Sequence, residues 1–268
     1  MREINTEELK SIQLDILRFV DKFCKEKGIK YFLCGGTLIG AVRHHGYIPW
    51  DDDIDIMMLR PDYERFVKEF SESNTSYYKI FSHVIDKDVL FPFSKVGDTR
   101  TKLIENIRAI KDNSVNIDVF PIDYLPDDKM ARERLVRKNY RRFITLRRML
   151  TKCTSDRTMI QNLLLVPFHI FRYVYKPSKL ISIITRDAIS ARPSDTRYCG
   201  IIVWGYGLRE INNVSNFKST SKAEFEGEYF DIPVGYDLYL KTVYGDYMKL
   251  PPEEKRVTHH HFKAYWSD

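Results

Sequence analysis

The sequence predicts an α+β protein, with strands and helices mixed at both ends of the chain and a mostly helical segment between them. Three observations predict it. Strand and helix patterns share the first 126 residues; helical spacing of apolar residues prevails over 127–198; strand signals return over 199–268. The expected parts are therefore a core over 1–126, a basic and amphipathic helical insertion over 127–198, and C-terminal strands and a helix over 199–268 that complete a mixed sheet flanked by helices.

The elements follow in order. Asn5 caps a first helix with Glu8 three residues on; Leu9, Ile12, Ile16, Phe19, Val20 and Phe23 recur at helical period, and Gly28 stops it. Lys30 to Cys34 reads as a short strand running into Gly35-Gly36, and Thr37 to Arg43 as a brief helix. Asp53 to Leu59 alternates carboxylate and apolar residues, a strand with two different faces, and Pro61 opens a helix through Phe70. Strands are expected at Tyr77 to Ile85, Phe91 to Val96 and Val115 to Phe120. The middle offers a basic helix, an apolar helix interrupted at Pro167 and a third helix after Pro177. Strands around Gly200 to Val203 and in FEGEYFDIPVG precede a helical run from Tyr236 to Leu250.

With 268 residues, 43% of them hydrophobic, the chain is long enough to bury a core without disulfides. Cys24, Cys34, Cys153 and Cys199 form no CxxC pair and read as free thiols rather than zinc ligands. The N-terminus MREINTEELK lacks the apolar core of a secretory signal, and no stretch reaches the roughly 20 apolar residues of a spanning helix. A cytoplasmic protein is expected. Charge is uneven: 129–152 carries ten Lys and Arg against Glu133 alone, a net +9 within a chain of net +6, so the remainder is −3. The resulting amphipathic helix is read either as a solvated charged face or as a surface for an anionic membrane or a polyanionic substrate.

The chemistry concentrates between Cys34 and Met58. In a strand, Asp53 and Asp55 share one face while Ile54 and Ile56 take the other, so two like charges stand together at the edge of a core. Keeping both ionised needs a cation, and hard oxygen ligands favour Mg²⁺ over zinc, with two ions conceivable. Asp51 and Asp52 deepen the negative field, and Asp118, flanked by apolar residues, offers a third carboxylate. Gly35, Gly36 and Thr37 sit at a strand-to-helix junction, where free N–H groups can cradle a phosphate. Arg43, His44 and Lys95 are candidate phosphate contacts. An acidic turn, a capping residue at Asp118 and ordinary surface charges remain the plain alternatives.

These residues resemble a known family. The string GGTLIGAVRHHGYIPWDDDIDI, with KVGDTRTKLIE, NIDVFPIDYLP and GDYMKLPPEEKRVTHHHFKAYW, is similar to the LicD family, related to fukutin and part of the nucleotidyltransferase superfold typified by DNA polymerase beta. The resemblance covers both ends of the chain and implies a nucleotidyltransferase-like catalytic core. It implies transfer of phosphocholine, or another phospho-alcohol carrying ribitol, glycerol or ethanolamine, from a CDP-linked donor such as CDP-choline. The acceptor would be a hydroxyl of a cell-surface glycan, a teichoic acid or lipopolysaccharide precursor or another lipid-linked glycan, with release of CMP and no nucleic acid involved. It maps the superfold's turn and acids to Gly35, Gly36, Asp53, Asp55 and Asp118, the acids acting as catalytic and Mg²⁺-binding residues. The interval from Gly36 to Asp53 is longer than in typical nucleotidyltransferases, as in the LicD group. A nucleotidyltransferase acting from an NTP on a small hydroxyl compound, and a non-catalytic glycan- or membrane-binding module, are the competing readings. In the tail, Tyr244, Tyr247, Tyr265 and Trp266 are read as either core residues or an aromatic cage for a quaternary ammonium group; His259 to His261 are not read as a metal site, and His259 or His260 is read as a donor or acceptor contact.

Overall fold

In the computed structural model, which describes residues 1–73, 75–155, 157–191, 196–258 and 262–267, the first helix forms as α1 (Thr6–Lys27). Its ends follow from its sequence. Asn5 Oδ1 accepts the Glu8 N–H at 2.9 Å, the Glu8 carboxylate accepts the Asn5 N–H at 3.3 Å, and Gly28 closes the helix at φ 62°. Next come β1 (Phe32–Leu33), α2 (Gly35–His44), β2 (Asp55–Leu59), α3 (Arg60–Glu72), β3 (Tyr78–Phe81), β4 (Ser94–Asp98), β5 (Thr101–Glu105) and β6 (Asn116–Leu125). The central sheet has the order β1-β2-β6-β4-β3, with β2 and β6 parallel and the other neighbours antiparallel. This is the expected α+β arrangement with a mixed sheet, consistent with a nucleotidyltransferase-like fold.

The two faces of the sheet are covered differently. Helices α1 and α3 lie together on one, where Phe23 meets Phe66 and Phe70 at ring separations of 5.9 and 5.1 Å and the Tyr63 hydroxyl is 2.7 Å from Ser94 Oγ. On the other, Phe93 stacks between Phe120, at 4.6 Å, and Trp204, at 4.9 Å, and Trp204 in turn meets Phe143 at 4.2 Å. Phe143 belongs to α4 (Lys129–Leu150), the basic helix, whose apolar stripe is thus buried against the core.

After α4 come α5 (Met159–Leu163), α6 (Val166–Val174) and α7 (Pro177–Ala188). The apolar helix does break, but not at Pro167: the chain turns at Leu164 and Leu165, and Pro167 and Pro177 stand in the first turns of α6 and α7, where a missing N–H costs nothing. Part of the basic face of α4 is docked. Asp187 of α7 accepts from Arg142 at 2.7 Å and pairs with Lys138 at 3.1 Å and Arg186 at 3.0 Å, and these hydrogen bonds, Arg142's first, hold its carboxyl well below the usual range.

The C-terminal part departs from expectation in three ways. Strands β7 (Tyr198–Gly200) and β8 (Asn212–Asn213) extend the sheet from the far end of β6, but β9 (Thr220–Phe225) and β10 (Glu228–Pro233) form a separate hairpin. Helix α8 (Tyr236–Tyr244) stops at Gly245, φ 76°, well short of Leu250. Strand β11 (Phe262–Trp266), unforeseen in the sequence, pairs with the equally unforeseen β5.

Candidate active site

Three strands bring the predicted side chains into one row. The parallel register of β2 and β6 sets Asp55 beside Asp118, and the antiparallel register of β6 and β4 sets Lys95 on the other side of Asp118. The Lys95 Nζ lies 2.5 Å from Asp118 Oδ1 and 3.2 Å from Asn116 Oδ1, over the rings of Phe91 and Phe93 at 5.0 and 5.6 Å. Burial pulls the Lys95 ammonium toward neutrality, yet Asp118, Glu105 and Asp55 together hold its pKa above the ordinary value. Asp55 lies at the opposite extreme. Burial, then repulsion from Asp53, Asp118 and Asp51, pushes its carboxyl well above the usual range, and Lys95 only partly offsets this.

Asp51, Asp52 and Asp53 enter β2 as a turn after Ile48, whose carbonyl accepts the Asp51 N–H at 2.8 Å. Their carboxylate oxygens lie within 4.8 Å of one another. The run is anchored from below, since Gln13 of α1 donates to the Asp52 carbonyl at 3.0 Å and reaches the Asn116 carbonyl at 3.5 Å. This is an oxygen-only donor set, of a kind that fits a hard divalent cation such as Mg²⁺. The sequence reading had Asp51 and Asp52 as background field; the structure makes them part of the same carboxylate group.

The two glycines accommodate these acids. A Cβ at Gly35 would stand 2.6 Å from Asp55 Oδ2, and one at Gly36 would stand 2.3 Å from Asp51 Oδ2. Gly35 also has φ 57°. The first turn of α2 thus faces carboxylates, whose negative charge its free N–H groups favour. Thr37 Oγ1 accepts the Asp55 N–H at 2.8 Å and the Asp55 carbonyl accepts the Cys34 N–H at 3.0 Å, so α2 and β2 are locked together at the first residue of β2.

The other expected phosphate contacts stand apart from this row. Arg43 donates to the carbonyls of Tyr247 and Lys249 and reaches His44 Nδ1 at 3.3 Å, and burial lowers its pKa. His44 meets the Trp50 ring edge-on at 6.4 Å. Nor do the four tail aromatics form one cage. Tyr265 and Trp266 lie on β11 against β5, Tyr247 is buried with its hydroxyl on Asp237 Oδ1 at 2.9 Å, and Tyr244 meets Tyr206 at 5.3 Å. His259, His260 and His261 lie outside the described residues.

A cleft of about 650 Å³ opens on the row. Asp52, Asp53, Asp118 and Lys95 line it, together with Asn116, Glu105, Asn106 and Trp204 and, from the helical segment, Arg147, Thr154, Arg157 and Gln161. Sequence reasoning missed Gln13, Glu105, Asn116, Arg147 and Arg157. Polar residues on apolar-periodic segments were the only available signal for the first and third. It also missed Glu210, 3% exposed, whose Oε1 accepts the Tyr206 N–H at 3.1 Å while Oε2 has no hydrogen-bond partner among the described residues. Burial pushes its carboxyl up to about 8.

A mixed sheet that sets a carboxylate row beside a polar cleft is consistent with a nucleotidyltransferase-like enzyme, and comparison with known proteins makes the class specific. Residues 28–169, more than half the chain, match the family model described as LicD/FKTN/FKRP, nucleotidyltransferase domain. The chain is 30% identical to the lipopolysaccharide cholinephosphotransferase LicD of Haemophilus influenzae over 99% of both proteins. A 45-residue stretch is 46% identical to the human ribitol 5-phosphate transferase FKRP, covering 17% of this chain and 9% of that one. The chain belongs to the LicD family and is a LicD-type phosphotransferase. The non-catalytic reading therefore falls away.

Proposed function

We propose that this enzyme transfers phosphocholine, or a related phospho-alcohol, from a CDP-linked donor to a hydroxyl of a cell-surface glycan such as a lipopolysaccharide or teichoic acid precursor, releasing CMP. The observation that carries the reading is the Asp55–Asp118–Lys95 row beside the Asp51–Asp53 carboxylates, with a cleft lined by Asp52, Asp53, Asp118 and Lys95 and by Arg147 and Arg157. Asp55 is buried beside Asp53 and Asp118, and carboxylates gathered so closely favour a divalent cation, which would in turn attract a phosphate-bearing ligand. Choline is favoured over ribitol because the likeness to the cholinephosphotransferase runs the length of the chain, whereas that to the ribitol 5-phosphate transferase is local.

Asp53, Asp55 and Asp118, with Asp51 and Asp52 adjoining, are the residues that would hold Mg²⁺. When bound, the ion supplies charge neutralisation at the donor's pyrophosphate and at the departing CMP. Asp118, held in orientation by Lys95, is placed to accept the acceptor hydroxyl's proton as that oxygen forms its bond to phosphorus and the bond from phosphorus to the CMP oxygen breaks. Arg147 and Arg157, which also line the cleft, would meet phosphate oxygens. Gly35, Gly36 and Thr37 position the carboxylates, and the free N–H groups of their turn would also contact the donor's phosphates.

No helix among the described residues is long and apolar enough to cross a membrane. The proposed setting is the cytoplasm, with peripheral contact at the inner face of the membrane through the exposed arginines of α4, among them Arg134, Arg137 and Arg141.

Incubation with a panel of CDP-alcohols, Mg²⁺ and candidate glycans tests the reaction. Release of CMP, fastest with CDP-choline, is expected. Release of pyrophosphate from an NTP instead would assign a nucleotidyltransferase.

A further inference from the structure

Helices α5 and α6 contain no buried residue, which sets them apart from the long helices of the fold. Met159, Ile160, Leu164, Ile170, Tyr173 and Val174 stand between 63% and 84% exposed. Exposed apolar side chains are ordinary when scattered, but here they crowd a 16-residue segment. The segment is nevertheless firmly seated on its inner side. Asn162 Nδ2 donates to the Thr154 carbonyl at 2.9 Å, His169 Nε2 lies 2.8 Å from the Thr151 carbonyl, and Leu165 is buried.

Charge identifies what would cover this ridge. From Arg157 to Arg186 the sequence has five basic residues and no acid. The Arg148 guanidinium lies 5.1 Å from the Phe168 ring, Arg172 lies 5.4 Å from Tyr173, and Lys179 lies 5.3 Å from Tyr175, so cations rim the apolar surface. An apolar ridge rimmed by cations complements acyl chains below anionic headgroups. A second copy of this chain, docked by the same ridge, would set the two basic rims against each other.

We infer that the 159–174 ridge inserts shallowly into an anionic lipid surface, so that the protein is held by apolar burial as well as by charge. The inference deepens the membrane contact placed above on the basic helix by naming another element and another mode. It also gives the cleft an orientation. Arg157 and Gln161 line the same cleft as Asp118, and Arg157 precedes the ridge while Gln161 belongs to it, so the cleft would lie beside the bilayer. An acceptor hydroxyl carried on a lipid-linked glycan would then reach Asp118 without leaving the membrane surface; this consequence alone rests on the proposed reaction.

The test uses the full chain and vesicles of phosphatidylcholine with or without phosphatidylglycerol. The parent should bind the anionic vesicles, weaken as salt rises, and retain a salt-resistant fraction. Ile160→Ser combined with Leu164→Ser, Ile170→Ser and Val174→Ser should lower partitioning at high salt by at least about tenfold, while melting and CMP release with a soluble acceptor stay at the parental level. In a separate variant, Tyr173→Trp should add emission that shifts to shorter wavelength on the anionic vesicles. Parental partitioning by the serine variant, or an unshifted Tyr173→Trp emission, overturns the ridge while leaving charge-only contact through α4. So does a parent that self-associates through these residues and ignores vesicles. Failure to release CMP from any CDP-alcohol, with vesicle binding intact, counts against the proposed reaction and not against the ridge.

Discussion

Strand β6 carries two acids, Asp118 and Asp123, each ion-paired with a cation from another element, and the two pairs are built to opposite ends. Five residues apart, they point to opposite faces of the strand. Asp123 faces α3, is 0% exposed, and meets Arg60 Nε at 2.7 Å in the core. One cation meets one anion there and water is excluded. Asp118 faces the cleft, and its lysine must serve Glu105 and Asp55 as well. A similar ion pair therefore serves as a buried clamp at Asp123, whereas at Asp118 it stands among further acids beside a cleft, the setting expected of an active site.

The largest effect is expected at the balanced pair. Asp123→Ala leaves the Arg60 guanidinium buried without a counter-charge and should lower unfolding free energy by about 3–5 kcal/mol. Removing both partners, Arg60→Leu with Asp123→Leu, should restore most of that loss in urea unfolding. If the double variant is as unstable as the single one, the pair is not a self-contained clamp and the contrast with Asp118 fails.

At the clustered site, the same operation should act on turnover instead. Asp53→Asn or Asp55→Asn removes a carboxyl group that repels its neighbours or is itself costly to ionise where it is buried, so melting should hold or rise slightly, while CMP release with Mg²⁺ should fall at least about 10²-fold. Near-parental release by either variant would remove that residue from the catalytic set.

A smaller effect separates backbone strain from carboxylate position. Gly28 and Gly35 have φ values of 62° and 57°, but a Cβ on Gly28 would meet nothing within 4 Å whereas one on Gly35 would strike Asp55 Oδ2. Alanine at either should cost roughly 1–2 kcal/mol of stability through left-handed backbone strain. Only Gly35→Ala should also reduce turnover, because only it displaces a catalytic carboxylate. Equal turnover in the two alanine variants would show that Asp55 has freedom to move aside.

The reactive half of this comparison was legible in the sequence and the structural half was not. Asp53 and Asp55 alternate with buried isoleucines, and Asp118 sits between Ile117 and Val119, so strand period alone gathers them on polar faces. Arg60 and Asp123 are 63 residues apart and follow no local pattern; only the packing of α3 on β6 joins them. Strands β5 and β11 escaped notice for the same reason, since each is short and its partner lies some 160 residues away. The tail aromatics looked like a cluster because they are near in sequence, yet Gly245 ends α8 between Tyr244 and Tyr247 and sends them to different neighbours. The ridge at 159–174 read as an interrupted helix, and its exposure is a tertiary fact that apolar composition conceals.

Glu210 extends the comparison to an acid with no paired cation among the described residues. Arg209, its immediate chain neighbour, lowers its pKa only weakly against the burial that lifts it from 4.5 to about 8. In the unfolded chain the group releases its proton near the ordinary value, while in the folded protein it keeps it to about pH 8. Between those limits the folded state binds more protons, so the stabilising contribution is full below about pH 4.5, declines as pH rises, and is exhausted above about 8. The slope is at most about 1.4 kcal/mol per pH unit. Glu210→Gln keeps the shape and the acceptor for the Tyr206 N–H but cannot ionise. The difference in unfolding free energy between this variant and the parent should be near zero in mild acid and should grow in the variant's favour from pH 6 to pH 8, flattening beyond. Asp123→Asn, by contrast, removes a paired charge and should be destabilising at neutral pH. If Glu210→Gln proves equally destabilising across the range, Glu210 is ionised in the fold and has a cationic partner, and burial of an uncompensated acid would no longer distinguish it from Asp123.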